Sequence, residues 1–260
     1  SLFASLKSTE SMPLASREDL ERLITKDSLV SSLTMAYRKR MAISKSYADE
    51  LKPLGPAISA SLQYDGRGRS LDNVKAETRM IALDYDIHDA SAEQIESMFN
   101  AACQSAYALA VYHTISGQGI RIIVGYDRAE NCDLTIVELF NAMIRKAIGF
   151  YNTLLNWEAD QQATDIGRLC GLAHDPAAYF NWNAIPLKLT PGELKDTQER
   201  IKNEKKKNKG GRPKSSKTRK KKKSGYTPSI EEAAPHIKVM IESWGRRFEE
   251  HQHNEYVTSF

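Results

Sequence analysis

No run of apolar residues in this chain is long enough to cross a bilayer, and the N-terminus lacks the basic and apolar regions of a secretory signal. The expectation is a soluble, cytoplasmic protein with no membrane partner. Cysteine is scarce as well. Cys103, Cys132 and Cys170 are an odd, scattered set without a Cys-x-x-Cys pair, which argues against a disulfide framework and against a zinc ribbon. His251 and His253 stand at i and i+2, positions that do not share a helix face, so no zinc is expected there either. The chain has no His-hydrophobic-His strand of the kind an HUH-type replication initiator uses. The stretch from Ala57 to Leu62 has no glutamate, which a Toprim nuclease would need on an early strand. At 260 residues there is room for one well-buried domain and a smaller appendage. The start at Ser1 rather than Met, and the end at Phe260 within a helix-like stretch, are what a piece of a longer protein would show.

A net charge of only +4 conceals a strong segregation. Between residues 195 and 223 there are 15 Lys or Arg against 3 Asp or Glu, leaving 22 basic and 30 acidic residues elsewhere. The tract holding Lys205, Lys206, Lys207, Arg212, Lys220, Lys221, Lys222 and Lys223 has almost no apolar residue, and a solvated, disordered linker is expected over 193–228. Such a polycation releases counterions from a phosphate backbone and adds salt-sensitive, sequence-independent affinity for DNA. Gly210-Gly211-Arg212-Pro213-Lys214 has the central Gly-Arg-Pro of an AT-hook, with Gly210 where that motif has Arg.

Residues 1–52 read as helices. Ser16 caps a helix whose first turn is acidic and whose Leu20, Leu23 and Ile24 follow at helical spacing, and a second helix is expected from Ser28 to Ile43. Pro53, Gly55 and Pro56 interrupt this part, and a short strand follows from Ala57 to Leu62. Residues 53–192 then carry an apolar strand ending at Asp86, a helix from Ala90 to Gln104, and two strands around Ser116-Gly-Gln-Gly119. A helix from Asp133 to Tyr151 and the apolar Leu169-Cys-Gly-Leu172 complete a β-α-β-β-α-β order. That is the split unit of a ferredoxin-like, RNA-recognition-type sheet, an α/β (α+β) class of fold, with the acidic strand expected in the middle of a sheet that has one exposed face. Ile185–Leu189 reads as a further strand, and residues 229–260 as the start of a helical C-terminal module in which Ile237, Met240, Ile241 and Trp244 share a face.

The acidic strand carries the chemistry. Successive strand residues point to opposite faces, so in Leu83-Asp84-Tyr85-Asp86 both carboxylates project from one face. Like charges so placed share a proton or hold a cation, and hard oxygen ligands suit Mg²⁺ or Mn²⁺. Asp160 and Asp165 are both candidates for a third ligand, and either could instead close a turn. In the glycine turn, Ser116, Gly117 and Gly119 could bring backbone N–H groups and a hydroxyl to phosphate oxygens, with Arg121 and Arg168 as cations and His113 as a further contact.

Taken in order, Ile-Ala-Leu-Asp84-Tyr-Asp86, Ser116-Gly-Gln-Gly-Ile-Arg121 and Asp160 with Thr-Asp165-Ile-Gly-Arg168-Leu-Cys-Gly resemble the three motifs of the archaeo-eukaryotic primase superfamily. The likeness is greatest to the primase-polymerase domains of mobile elements, phages and CRISPR-associated loci. It runs from Pro56 to Leu189, and departs from many members in having Arg121 where they carry histidine. The resemblance implies a modified RNA-recognition-type fold with an added α/β unit. It also implies a DNA primase-polymerase in which Asp84, Asp86 and Asp160 bind two Mg²⁺ or Mn²⁺ ions, Asp165 being the lesser candidate. Ser116, Gly117, Gly119, Arg121, Arg168 and His113 would hold the incoming nucleotide. The implied partners are a single-stranded DNA template, (d)NTPs and a helicase domain or subunit. The alternative is a replication module that binds nucleotide or DNA with little or no catalysis.

Overall fold

A computed structural model describes residues 1–209 apart from 15, 88–89, 131 and 161–163, with side chains described as far as 205. A two-residue strand at Leu2–Phe3, where the sequence reads as helical, comes first, followed by three helices: α1 (Arg17–Thr25), α2 (Ser28–Met41) and α3 (Lys45–Asp49). The side chains of Ser16, Asp27 and Ser44 each accept a backbone N–H of the turn that follows, which satisfies donors a helix start leaves over. β1 (Leu2–Phe3), β2 (Ala57–Ser59), β3 (Leu62–Tyr64) and β4 (Val74–Glu77) precede the acidic strand β5 (Met80–Asp86). The rest is α4 (Ala92–Cys103), β6 (Ala108–His113), β7 (Gly119–Gly125), α5 (Ile136–Leu155), β8 (Leu169–Gly171), β9 (Tyr179–Phe180) and α6 (Pro191–Lys209). The α+β class expected from the sequence is what the chain adopts. Among the described residues, no helix is long and apolar enough to cross a membrane.

A four-stranded antiparallel sheet in the order β5-β7-β6-β9 forms the centre. Alternation sends Ile81, Leu83 and Tyr85 of β5 and Ile120, Ile122 and Val124 of β7 to one face, where Ile95, Met98 and Phe99 of α4 and Phe140, Met143 and Ile144 of α5 cover them. Removing each such side chain from water contributes about 1.5–3 kcal/mol before the entropy of ordering is set against it. Tyr112 and Ile123 point the other way, and there they meet Ile24 and Val30 of α1 and α2 together with Leu2, Ile58 and Cys170.

Four further features depart from the sequence expectation. The acidic strand is not in the middle of its sheet: its ladder partner is β7, and β8 pairs with β2 in a separate three-stranded sheet, β1-β2-β8. Nor is one sheet face exposed, because that small sheet and α1–α2 lie over it. Alternating hydrophobicity reports which residues are buried, not which strand they pair with, and β8 is equally apolar in either sheet. Between Ile185 and Leu189 there is a single bridge, Leu187 to Tyr126, rather than a strand. Finally, the basic segment begins as helix α6. Thr190 and Glu193 form a reciprocal cap, and Lys146 and Glu138 of the α5 region bind Glu193 and Lys205, holding the helix along α5. The remaining expectations for 210–228 and for the C-terminal module, with Arg212 and Lys220 to Lys223, lie outside the described residues, as do the side chains of Lys206 and Lys207.

Candidate functional site

Because Asp84, Asp86 and Arg121 all project from the second face of the sheet, they point between the two sheets rather than into the main core. A cleft of about 180 Å³ opens there, and Asp84, Asp86, Asp160, Ser116, Arg121 and Arg168 all line it. Six residues chosen from three separated sequence motifs thus meet in one place. Backbone hydrogen bonding explains part of the convergence: the Asp160 N–H donates to the Asp84 carbonyl at 2.8 Å, pinning the 160 loop to the outer edge of β5.

The floor of the cleft is an ion pair. Asp84 and Arg121 are directly opposite across β5 and β7, and Arg121 Nε donates to Asp84 Oδ1 at 2.5 Å. The same guanidinium donates to the Gly171 carbonyl at 2.6 Å and to the Tyr112 hydroxyl at 3.3 Å, so it ties β7 to β8. Burial opposes its charge, but the Asp84 carboxylate beside it holds Arg121 well above the ordinary arginine value. Burial also pushes the Tyr112 phenol up to about 12 and raises the Cys170 thiol, both against the nearby guanidinium. Asp84 is only 9% exposed, whereas Asp86, one pleat on, is exposed. At the other side Arg168 Nη2 stands 3.6 Å from Asp160 Oδ2.

The glycine turn is built for backbone reasons. Gly119 sits opposite Asp86, and a Cβ on it would lie 2.3 Å from the Tyr85 carbonyl oxygen, so only glycine lets β7 reach β5 there. Gly117 has φ +70°, the left-handed region that a tight turn requires. Neither lines the cleft. Ser116 does, its hydroxyl accepting the Gln118 N–H at 3.1 Å and standing 3.2 Å from Thr114 Oγ1.

His113 and Asp165 are not brought to the cleft. His113 is one residue on from Tyr112 and so faces α4, its ring stacked 4.7 Å from Phe99 and its Nδ1 2.8 Å from Asp175 Oδ2. Asp165 accepts the Gly167 N–H at 2.6 Å and closes the turn before β8. Of the two candidates for a third acid, the structure therefore sets Asp160 and not Asp165 beside Asp84. Lys205, expected to meet DNA, donates to Glu138 at 2.8 Å.

The cleft also contains residues that sequence reasoning did not select: Thr114, which continues β6 into the turn, and Lys52, which heads the 3-10 turn Lys52–Leu54 beside Pro53. A lysine next to a proline in a loop gives no sequence signal of a site.

Three hard carboxylates lining one cleft fit Mg²⁺ or Mn²⁺ by donor chemistry. Among the described residues, no three His, Cys, Asp or Glu side chains are already gathered into a cage. Two of the acids have arginine partners, Asp84 with Arg121 and Asp160 with Arg168.

Comparison with known proteins adds one relationship. The family model of the BT4734-like N-terminal domain matches residues 50–180, half of the chain, and this stretch contains every acid and cation of the cleft. No curated protein matches the chain. No solved structure matches it.

Proposed function

The chain belongs to the BT4734-like N-terminal domain family, and we propose that it is a template-dependent DNA primase-polymerase, transferring nucleotides from (d)NTPs to a 3′-hydroxyl or an initiating nucleotide. The observation that carries this reading is the meeting of Asp84, Asp86 and Asp160 with Arg168 and Ser116 in one cleft. The resemblance of the three motifs to the archaeo-eukaryotic primase superfamily supports it. Asp84, Asp86 and Asp160 would hold two divalent ions, which when bound supply an acidified 3′-hydroxyl and charge neutralisation at the reacting phosphate. Arg168 and the Ser116 hydroxyl would orient the polyphosphate. Arg121 aims Asp84, as its own three hydrogen bonds fix the guanidinium in place. The template is single-stranded DNA, with the basic tract beyond α6 adding affinity and a helicase domain or subunit as the partner that exposes it.

One observation favours a second reading. Asp84, the most buried of the three cleft acids, is already paired with Arg121, which suits a module that binds nucleotide or DNA and catalyses little. Incorporation of labelled nucleotides on a circular single-stranded template, with Mg²⁺ or Mn²⁺ and with or without a primer, separates the two. Product that disappears in Asp86→Asn supports the enzyme. Nucleotide binding without any product supports the binding module.

A further inference from the structure

Arg121 cannot serve both the floor of the cleft and a ligand. Its Nε is bonded to Asp84 and its Nη1 to the Gly171 carbonyl, within a side chain only 11% exposed. Releasing it would break both the ion pair with Asp84 and the bond to the Gly171 carbonyl that ties β7 to β8. Arg168 stands beside Asp160. The third cation of the cleft is placed differently. Lys52 enters from the segment preceding β2, lines the cleft, and its side chain is 43% exposed.

From these contacts we propose that Lys52 is a phosphate-binding residue of the cleft, taking the terminal phosphates of a nucleoside polyphosphate in the role that the motif pattern assigns to Arg121. The assignment rests on the nucleotide-binding reading of the cleft and adds to it which residue grips the polyphosphate. An ammonium has three donors, and on Lys52 one of them reaches Asp49 Oδ1 at 3.0 Å. Asp49 is itself held by the Tyr37 hydroxyl at 2.8 Å, and the ring of Tyr37 lies 5.4 Å from the Lys52 nitrogen. The fully buried Tyr37 thus anchors the carboxylate, and the carboxylate anchors the lysine. This removes rotamer freedom from a long side chain before any ligand arrives, which lowers the entropy of binding lost on capture. Burial opposes the charge on Lys52, but Asp49 and Tyr37 outweigh it, so the ammonium stays above the ordinary lysine value and is charged wherever a polyphosphate is. A lysine serves phosphate as a point charge that tolerates the varied geometry of successive phosphates.

The test is calorimetric titration of the protein with dGTP, dGDP and dGMP in Mn²⁺, for the wild type, Lys52→Met and Lys52→Arg, with melting temperatures as a folding control. The wild type is expected to bind in the order tri-, di-, monophosphate. Lys52→Met is expected to weaken dGTP by about 10- to 100-fold, the worth of a charge-assisted hydrogen bond, and to weaken dGMP little, with Lys52→Arg recovering most of the loss. Asp49→Ala, which keeps the lysine and removes its anchor, is expected to give an intermediate loss and decides the matter if Lys52→Met does not fold. A wild type that binds dGTP, with Lys52→Met and Asp49→Ala binding it equally well, overturns the role of Lys52 and leaves the cleft reading standing. A wild type that binds none of the three nucleotides overturns both.

Discussion

Asp84 and Arg121 face each other across β5 and β7, joined at 2.5 Å, and each is nearly enclosed by the two sheets packed around them. A buried pair of this kind contributes little net stability over an apolar pair, but breaking it is costly because the survivor keeps its charge without a partner. Arg121→Met is therefore expected to lower the unfolding free energy by about 3–5 kcal/mol. The double variant Asp84→Asn, Arg121→Met should recover much of that loss. Urea denaturation of the single and double variants measures both, and equal losses in the two would show that the ion pair is not what matters.

Glycine placement yields a contrasting pair. Gly119→Ala puts a methyl group into the Tyr85 carbonyl, so β5 and β7 must separate at the acidic end, and a loss of about 2 kcal/mol or more is expected. Gly149, in the interior of α5, has nothing within 4 Å of the position its Cβ would take. Gly149→Ala should raise stability by about 0.5–1 kcal/mol. Thermal melts of the two variants read opposite shifts.

The docking of α6 depends on pH. The hydrogen bond from Lys205, with those from the Thr135 N–H and hydroxyl, holds the Glu138 carboxyl down at about 2 from an ordinary 4.5. A depressed folded value means that the contribution is complete above 4.5 and is lost as pH falls from there towards 2. Lys205 is 68% exposed, so screening reduces the contribution to about 1 kcal/mol or less. Hydrogen-exchange protection in α6, taken relative to the intrinsic exchange rate at each pH, should fall over that window in the wild type. In Glu138→Gln protection should be lower at neutral pH and should fall less over that window, the remaining fall coming from Glu193, whose carboxyl Lys146 and Thr190 also hold below its ordinary value.

Much of this architecture can be read in the sequence where the signal is local. Leu83-Asp84-Tyr85-Asp86 announces its own alternation, Ser16 and Ser91 cap the helices they precede, and the hairpin at 116–119 carries its glycines. The three motifs also meet as their order suggests. What was not legible is non-local. Nothing in Leu169-Cys-Gly171 says that it pairs with β2 rather than β5, and with that pairing goes the burial of the second face. Arg121 lines the cleft, but the Gly171 carbonyl it bonds belongs to a strand that the sequence does not show to be its neighbour. His113 is one pleat away from the site. The reciprocal cap of Thr190 and Glu193 was visible in principle, but a polybasic composition outweighed it.

The proposed polymerase requires that Asp84, Asp86 and Asp160 converge on ions that carry a polyphosphate. A crystal soaked with a non-hydrolysable deoxynucleoside triphosphate and Mn²⁺, with anomalous scattering recorded at the manganese edge, tests it most directly. Manganese peaks bound by those three carboxylates are expected, with the triphosphate between them and the Ser116 turn. Nucleotide bound elsewhere, or ordered nucleotide in the cleft with no manganese on these acids, would contradict it.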